Sequence, residues 1–382
     1  MNKCYLLAPI FSLLSMDSEA QAPFAVLSGG PFAEDAVGVI WTGTAFQVAT
    51  RTFDPVLGHR AEVRTVSNNG TLQSTTPLSL PGQVFIQAME PALSGGAFIV
   101  GSVIPVDSVE QDALILKVDG NNTLLWSLAP NLPAGQVLMD ATVLADGSIV
   151  ATGTTTGPNK HDALVMRVSS TGQLMWTTVL PGAVDEEGLG IASDATGVMI
   201  TGRQMNFGGT SDCLFARLDL NGTLLWASSW GGGRNDVGRA IARTASGDFI
   251  MAGRSNSFSP YDHTSGTYYD QRYLIALTTN GDTLWTRSIG DTLCDQGFNA
   301  IAIAANGELY LAGEHPTDGN VDALVAKATS NGTPIWEHVY DLDDRDKPLD
   351  IRALSDGAVV CGWSFGPHSR QVMVLRTDTQ GN

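Results

Sequence analysis

Basic residues and cysteine are both scarce in this sequence. Charged residues make up 16% of the 382 residues, and 39 acidic against 21 basic residues give a formal net charge of −18. A negatively charged surface repels phosphate groups, so we expect neither nucleic acid nor an anionic membrane as a partner. The four cysteines include no adjacent pair and no paired zinc motif, and the sequence has no nucleotide-binding glycine loop.

Long hydrophobic runs are missing beyond the N-terminus. No segment after residue 22 approaches the roughly 20 apolar residues of a membrane span. The first residues combine Lys3, a mostly apolar stretch and the small residues Ala20 and Ala22, which predicts a secretory signal peptide over residues 1–22. We therefore expect residues 23–382 to form one exported domain, secreted or on the cell surface, that is monomeric and not inserted in the membrane.

What the sequence has instead is an internal repeat of about 50 residues. Five tryptophans mark it: Trp126, Trp176, Trp226, Trp285 and Trp336. Fourteen residues before four of them stands an aspartate: Asp112, Asp162, Asp212 and Asp322. We expect each aspartate to accept hydrogen bonds within its own loop, and each tryptophan to cover the sheet of its own or a neighbouring repeat. Repetition at this period is typical of β-propellers.

Each repeat predicts four short strands, named a to d along the chain. The stretch from Asp212 to Trp226 alternates apolar and polar residues on both sides of Asn221-Gly222, which predicts a hairpin between strands c and d with a type I′ turn. A preceding segment, such as the one that ends at Gly253, predicts strands a and b around another turn. Seven copies of this unit can be counted.

The two ends of the chain complement each other. The seventh copy stops after strand c, near Asn382, and residues 25–35 match the fourth strand of other copies, such as residues 226–236. A strand from the N-terminus that completes the last blade closes the ring and leaves no free sheet edge. The sequence therefore predicts an all-β fold: a single seven-bladed β-propeller of four-stranded blades, closed by its N-terminal strand.

The stretches from Asp112 to Trp126 and from Asp212 to Trp226 resemble the repeat of the secreted bacterial β-propeller family, sometimes labelled SBBP. They are also similar to the repeat of quinoprotein (PQQ-like) dehydrogenases, with a glycine four residues before the tryptophan, as at Gly222. The first resemblance implies an extracellular propeller whose repeats specify a fold rather than a reaction. The second implies an oxidoreductase, but those enzymes usually have eight blades and an adjacent cysteine pair.

The most distinctive insertion is the loop between strands b and c of the fifth repeat. It runs from residue 254 to 270 and carries aromatic side chains beside small polar residues, a composition typical of protein or carbohydrate contact surfaces. The predicted binding residues are Phe258, Tyr261, Asp262, His263, Tyr268 and Tyr269. An irregular loop without a binding role is the alternative.

In a propeller the d–a and b–c loops emerge on one face, around the central channel. Aspartates near the start of strand a recur in five repeats: Asp35, Asp185, Asp236, Asp295 and Asp346. Calcium prefers oxygen ligands, so a ring of these carboxylates is a candidate metal site. The alternative is that each aspartate caps its own loop. We expect no cofactor other than calcium.

The sequence leaves several functions open. The leading hypothesis is a non-enzymatic extracellular propeller that binds a protein or a glycan on the face of the d–a and b–c loops. The second is a hydrolase or lyase that acts on polysaccharide with carboxylates at the channel mouth, among Asp185, Asp236 and Asp295. A quinoprotein-like oxidoreductase and a purely structural role are the others. No nucleophile and base can be paired by their spacing, so the sequence does not choose among them.

Overall fold

The fold was taken from a computed structural model that describes residues 23–157, 160–263, 265–290, 294–317, 320–366 and 369–382. The predicted signal peptide lies outside the described residues. The described chain forms 28 strands in seven antiparallel sheets of four, which confirms the predicted seven-bladed propeller. No helix in it is long and apolar enough to cross a membrane.

The strands follow one another in chain order, four to a blade after the first. They are β1 Phe24–Ser28, β2 Ala33–Trp41, β3 Ala45–Asp54, β4 Gly58–Ser67, β5 Leu72–Leu78, β6 Gln83–Pro91, β7 Ala97–Ile104, β8 Asp112–Val118, β9 Leu124–Leu128, β10 Gln136–Val143, β11 Ile149–Thr156, β12 His161–Val168, β13 Leu174–Val179, β14 Glu186–Ser193, β15 Gly197–Met205, β16 Ser211–Asp219, β17 Leu224–Trp230, β18 Asp236–Arg243, β19 Phe249–Ser255, β20 Gln271–Leu277, β21 Thr283–Ile289, β22 Gly297–Ile303, β23 Leu309–Thr317, β24 Asn320–Ala328, β25 Pro334–Tyr340, β26 Asp346–Leu354, β27 Gly357–Phe365 and β28 Arg370–Asp378. Blade one begins at β2, and each later blade begins four strands further on.

Both ends of the chain build the seventh blade. Its sheet has the order β1-β28-β27-β26, and β1 pairs with β28 from Phe24 opposite Arg376 to Ser28 opposite Val372. The predicted closure of the ring by the N-terminal strand is therefore confirmed. Because β1 pairs with β28, the blade in which the two ends of the chain meet has four strands like the others, and β28 is not left as a free sheet edge.

The innermost strand of every blade carries a β-bulge at the same level. The bulged residues are Val37, Gln87, Met139, Leu189, Arg239, Asn299 and Leu349. All seven line one central cavity of about 460 Å³. A bulge bends its strand and turns the extra side chain aside, so the seven bulges place these residues around the channel.

On the face of the a–b and c–d turns, here called the lower face, a tryptophan ties each of several blades to the next. Trp176 Nε1 donates to the carbonyl oxygen of Leu220 at 3.0 Å, in the c–d turn of the following blade. Its ring lies only 2.6 Å from where a Cβ on Gly222 would stand. The same bond recurs at Trp126, Trp226 and Trp336. The predicted covering role of the tryptophans is confirmed, with the next blade as the partner.

The Asn-Gly turns differ from the predicted type. Gly222 has a φ of 83°, but Asn221 is not among the residues with positive φ. Gly222 N donates to Asp219 O at 3.1 Å, and Asp219 N donates to Thr223 O at 3.0 Å. These bonds describe a type I turn followed by a left-handed glycine. The type I′ prediction was wrong because the Asp219 carboxylate accepts the N–H groups of Asn221 and Thr223, which fixes the longer loop.

The hydrophobic core is divided among the seams between blades. One cluster joins blades one and two, with Val63 and Ile86 among its members, and another joins blades six and seven, with Tyr310 and Met373. Sheets that are covered on both faces have nearly continuous apolar strands, as in β20. The upper face, which carries the d–a and b–c loops, is therefore held on a rigid ring.

Candidate functional site

The predicted binding residues in the aromatic loop of blade five have two different environments: some pack against the strands, and others lie on the surface. Phe258 packs against Trp230 and Tyr273, with ring centroids 4.9 and 5.6 Å apart. Further along, Asp262 and Thr267 form a small hairpin in which Asp262 N donates to Thr267 O at 3.0 Å. Phe258 therefore anchors the loop, while the hairpin projects its tip.

The remaining aromatic residues of this loop lie at or near that tip. The Tyr261 ring is 5.0 Å from His263 and 4.9 Å from Tyr268, measured between centroids. The guanidinium of Arg234 lies 3.4 Å from the centroid of Tyr268, so the chain itself covers one face of that ring. Tyr269 lines both cavities at the upper mouth of the channel. Of the six predicted residues, Tyr269 is thus the one best placed to contact a ligand there.

The five predicted metal ligands do not share one structural position. Asp236 and Asp346 are equivalent, because each stands three residues before the bulged residue of its inner strand, Arg239 or Leu349. Asp35, Asp185 and Asp295 each lie one residue away from that position. Because side chains alternate between the two faces of a strand, an offset of one residue turns a side chain to the opposite face. The repeat is regular in spacing but not in register at these aspartates.

The five aspartates differ in what they bind. Asp236 and Asp346 accept from their own d–a loops, through Gly232 N and Leu342 N, and Asp236 also accepts from Ser257 Oγ. Asp185 and Asp295 accept from His161 N and Asp270 N of the preceding blade, and Asp35 pairs with Arg51 and with Arg370 of blade seven. Among the described residues the five therefore do not gather into a single ring of ligands, and the alternative, in which each aspartate caps its own loop, fits Asp236 and Asp346.

Basic side chains surround the upper mouth of the channel over blades four to seven. This group, here called the basic mouth, consists of Arg203, Arg239, Arg254, Arg345 and Lys347. It borders two adjoining cavities of about 400 and 460 Å³. A basic mouth is unexpected on a chain whose net charge is −18.

Four members of the basic mouth are paired with carboxylates. The pairs are Arg203 with Glu187 at 2.7 Å, Arg254 with Asp270 at 3.2 Å, and Arg345 and Lys347 with Glu314 at 3.5 and 2.9 Å. Arg239 has no such partner among the described residues, although its side chain borders both the channel and the mouth. Arg239 is thus the member of the basic mouth that has no salt-bridge partner among the described residues.

The surroundings of Arg239 disfavour its charge. Burial lowers the pKa of Arg239, and the nearby positive charges of Arg254 and Arg203 lower it further. Asn299, the bulged residue of the next inner strand, lines the same cavity. A guanidinium in this setting gains from an added anion, since carboxylates and sulfates accept its charge-assisted hydrogen bonds. The arrangement can bind a small anionic group without rearranging the ring.

Deeper in the channel lies a second charged group of opposite character: Glu90, Asp140, Asp350 and Arg352. Arg352 Nη2 is 2.6 Å from Glu90 Oε1, and Arg352 Nε is 3.4 Å from Asp350 Oδ2. Burial raises the pKa of Asp140 to about 7, and the negative charge of Glu90 adds to that rise. With three carboxyl groups around one arginine, this level of the channel repels anions. An anionic ligand would therefore be held at the mouth.

Sequence reasoning missed both charged groups. The available signal was a charged residue inside an inner strand otherwise made of small and apolar residues, as at Arg239 and Asp140. Arg239 stands at the bulge, Asp140 and Asp350 one position after it, and Glu90 and Arg352 three positions after it. The bulge itself could not be read from the sequence, so these side chains could not be assigned to the channel.

Comparison with known proteins supports the fold but gives no family. No family profile and no curated protein matches the chain, so its resemblance to the secreted bacterial propeller repeat stays a prediction. Solved structures do match along most of the chain.

Two of these structures are polysaccharide lyases and one is a WD40 domain. An ulvan lyase of polysaccharide lyase family PL25, bound to -[GlcA(1-4)Rha3S]-, has a TM-score of 0.59 at 10% identity and covers 93% of this chain and 96% of its own. The polysaccharide lyase Uly1 has a TM-score of 0.56 at 8% identity, over 90% of each chain. The WD40 domain of Neurospora crassa Pan2 has a TM-score of 0.52 at 8% identity, over 91% of each chain. At these identities the likeness shows the propeller fold alone.

Proposed function

We propose that this protein is an extracellular propeller that binds an anionic glycan at the basic mouth. The observation that carries the proposal is Arg239, a partly buried guanidinium that borders the channel and forms no salt bridge among the described residues. Arg254 and Arg203 are its strongest charged influences, and the charges of Glu187 and Glu314 offset them only in part. A uronate or sulfate group supplies the missing counter-ion. Arginine suits this role because its planar fork binds such groups through two parallel hydrogen bonds.

The rest of the mouth suits a saccharide. Tyr269 lines both cavities and offers apolar area together with a hydroxyl, and Asn299 adds an amide beside Arg239. Sites for small ligands combine such a surface with a few convergent polar groups. The hairpin tip with Tyr261 and His263 lies on the same loop and extends the surface beyond the mouth.

A structure of the same fold favours an anionic rather than a neutral glycan, because the PL25 lyase has a bound ligand with a uronic acid and a sulfated sugar. The net charge of −18 opposes the approach of an anionic chain to the rest of the surface, so the attraction has to be confined to the basic mouth. Binding should therefore depend on a small number of side chains and weaken as salt is raised.

The proposal is tested by calorimetric titration of sulfated and uronate-bearing oligosaccharides, with neutral oligosaccharides of equal length for comparison. We expect only the anionic ligands to bind, and we expect Arg239→Ala to weaken binding at least tenfold. Arg243→Ala is the matched control, since Arg243 lies at the lower end of the same strand β18, where it is exposed and borders the channel but neither of the two mouth cavities. Equal losses in the two variants, or equal affinity for neutral ligands, would contradict the proposal.

A polysaccharide lyase acting at the same mouth is the second candidate, and Asp270 is the observation that favours it. Burial raises the pKa of Asp270, although the charge of Arg254 opposes the rise. The residue lines the same cavity as Arg239 and Tyr269. Eliminative cleavage of a uronate needs a base for the proton next to the carboxylate and a positive group that neutralises that carboxylate. Asp270 and Arg239 can divide these roles.

Incubation with anionic polysaccharide distinguishes binding from cleavage. A lyase generates an unsaturated product, whose ultraviolet absorbance rises with time, whereas a binding protein leaves chain length unchanged. If cleavage occurs, Asp270→Asn should abolish it while oligosaccharide affinity stays within about threefold. Cleavage that persists in Asp270→Asn would exclude Asp270 as the base.

A further inference from the structure

On the upper face, the seams between blades repeat one local arrangement that is separate from the basic mouth. It consists of a residue near the start of strand c, a residue at the start of strand a in the next blade, and the strand-b residue paired with the latter. At the seam between blades six and seven these are Asp322, Asp346 and Ser364. Asp322 and Asp346 are only 3% and 0% exposed, so two carboxyl groups are buried together.

A third carboxylate joins them at this seam. Asp341 follows strand β25, and oxygen atoms of Asp322, Asp341 and Asp346 all lie within 4.8 Å of one another. Asp341 is exposed, so the group opens to solvent on one side. Burial raises the pKa of Asp346, and the negative charge of Asp322 adds to the rise. The three groups therefore repel one another unless something positive lies between them.

The chain satisfies only part of the two buried carboxylates. Thr317 Oγ1 donates to Asp322 Oδ2 at 2.9 Å, and Leu342 N donates to Asp346 Oδ2 at 2.8 Å. The other oxygen of each, Oδ1, is buried and accepts no well-formed hydrogen bond among the described residues, although the Ser364 hydroxyl lies close enough to Asp346 to lower the pKa of that carboxyl. Buried polar atoms without a partner are rare in folded proteins because each costs about 1–3 kcal/mol. The Oδ1 atoms of Asp322 and Asp346 are two such oxygens in one cluster of carboxylates. They indicate a bound cation that interacts with both.

The equivalent seam between blades three and four shows how the chain itself can meet this need. There the two positions are Asp162 and Glu186, and Lys160 Nζ contacts both Asp162 Oδ1 and the carbonyl oxygen of Gly182. The positive charge of Lys160 also opposes the rise that burial causes in the pKa of Glu186. A built-in cation therefore accompanies the carboxylate pair at this seam.

The seam between blades six and seven has no such cation. None of its three carboxylates forms a salt bridge with a lysine, arginine or histidine of the described residues. At the seam between blades five and six the corresponding positions are the neutral residues Gln271 and Gln296, so no cation is needed there. The seam between blades four and five resembles the sixth more closely: Asp212 and Asp236 also have buried Oδ1 atoms without a partner among the described residues, and they form no salt bridge there. Beside those two carboxylates lies Gly231, at the repeat position that Asp341 occupies in the sixth seam. The third carboxylate therefore sets the sixth seam apart.

We propose that Asp322, Asp341 and Asp346 bind a calcium ion that fastens blade six to blade seven. The site shares only Asp346 with the calcium ring expected from the sequence, and it lies between two blades instead of around the channel. It would strengthen the seam next to the blade that closes the ring.

The geometry suits calcium in particular. Calcium binds oxygen atoms at about 2.3–2.6 Å, so two oxygens on one ion can lie up to about 5 Å apart. The mutual separation of 4.8 Å or less satisfies that limit. Calcium also tolerates irregular coordination completed by water, which the exposed side at Asp341 can supply. Magnesium demands a tighter octahedral arrangement.

Thermal unfolding of the intact protein in calcium and in EDTA tests the site, with terbium luminescence as a second readout. At calcium about 100 times its dissociation constant we expect the unfolding midpoint to rise by at least about 3 °C. Tyr340 precedes Asp341 and can sensitise bound terbium. Asp346→Asn and Asp322→Asn should remove both signals, and Asp341→Asn, an exposed change that leaves the seam packed, should weaken calcium affinity at least tenfold.

Glu186→Gln is the matched control, because it removes a carboxylate from the same position in the seam that carries Lys160. Its calcium response should equal that of the unmodified protein. The proposal would be overturned by a protein that shows no calcium-dependent shift, or by a shift that persists in Asp341→Asn and Asp346→Asn. A protein stabilised by acid but not by calcium would show that the two buried carboxyl groups share a proton instead.

Discussion

The lower and upper sides of the blade seams follow opposite rules. On the lower side the same contact recurs, in which a tryptophan ring covers the glycine of the next c–d turn and donates to a carbonyl nearby, as with Trp176 and Gly222. On the upper side equivalent positions hold different chemistry from seam to seam. One seam has a carboxylate pair with Lys160, another has two glutamines, and the sixth has carboxylates alone.

This difference separates what builds the ring from what the ring presents. A contact that recurs from blade to blade is visible in the repeat, because it stabilises several seams in the same way. Positions that no blade needs for closure are free to vary, and at the upper mouth Arg239, Tyr269 and Asp270 of blade five assemble in one cavity. Function in such a fold is carried by departures from the repeat.

The largest effect should come from breaking a lower seam. In Gly222→Ala the new Cβ would lie 2.6 Å from Trp176, at a φ of 83° that side chains rarely adopt. We expect a loss of about 2–3 kcal/mol in the free energy of unfolding, measured by denaturant titration. Gly209→Ala isolates the backbone contribution, because Gly209 has a φ of 84° and nothing within 4 Å. Equal losses in the two variants would show that the tryptophan contact adds nothing.

A smaller effect on stability should distinguish Phe258 from the hairpin tip of the aromatic loop. Phe258→Ala removes a ring that packs on Trp230 and Tyr273, so we expect a loss of about 1–2 kcal/mol. Tyr261 is exposed to the same degree as Phe258, 42% against 44%, but the rings that it contacts in the described part of the chain are those of His263 and Tyr268, in the same loop, and not of a strand residue. Tyr261→Ala should therefore change stability by less than about 0.5 kcal/mol. Thermal and denaturant unfolding of both variants would check the division. A Tyr261→Ala protein as unstable as Phe258→Ala would mean that the tip is part of the core.

The smallest effect concerns the acidic level of the channel. The pKa of Asp140 is raised to about 7, above its ordinary value of 3.8, so the folded protein favours the protonated form. Its burial therefore costs nothing below about pH 4, and stability is lost as pH rises from there through 7. Asp140→Asn should gain on the order of 1 kcal/mol relative to the unmodified protein at pH 8, since the partial exposure of Asp140 moderates the cost. The gain should vanish at pH 4, and a difference independent of pH would contradict the assignment.

The periodic features of the sequence were enough to predict the fold. They were not enough to predict which side chains meet, because a shift of one residue in register changes where a side chain lies. The tryptophan spacing and the complementary ends were enough for the seven blades and their closure. The five aspartates form no ring among the described residues because they differ in register: Asp185 and Asp295 precede strands β14 and β22, one residue before the position that Asp236 occupies in β18. The meeting of Asp322 with Asp346 depends on two neighbouring blades, and no spacing along the chain reveals it.

The most direct test of this division measures stability and binding on the same two variants. Gly222→Ala and Arg239→Ala would each be melted and then titrated, well below their midpoints, with a sulfated uronate oligosaccharide. We predict that Gly222→Ala lowers the midpoint and keeps its affinity, whereas Arg239→Ala keeps the midpoint and loses affinity at least tenfold. Variants that lose both properties together, or an Arg239→Ala protein that binds as well as the unmodified one, would contradict the account.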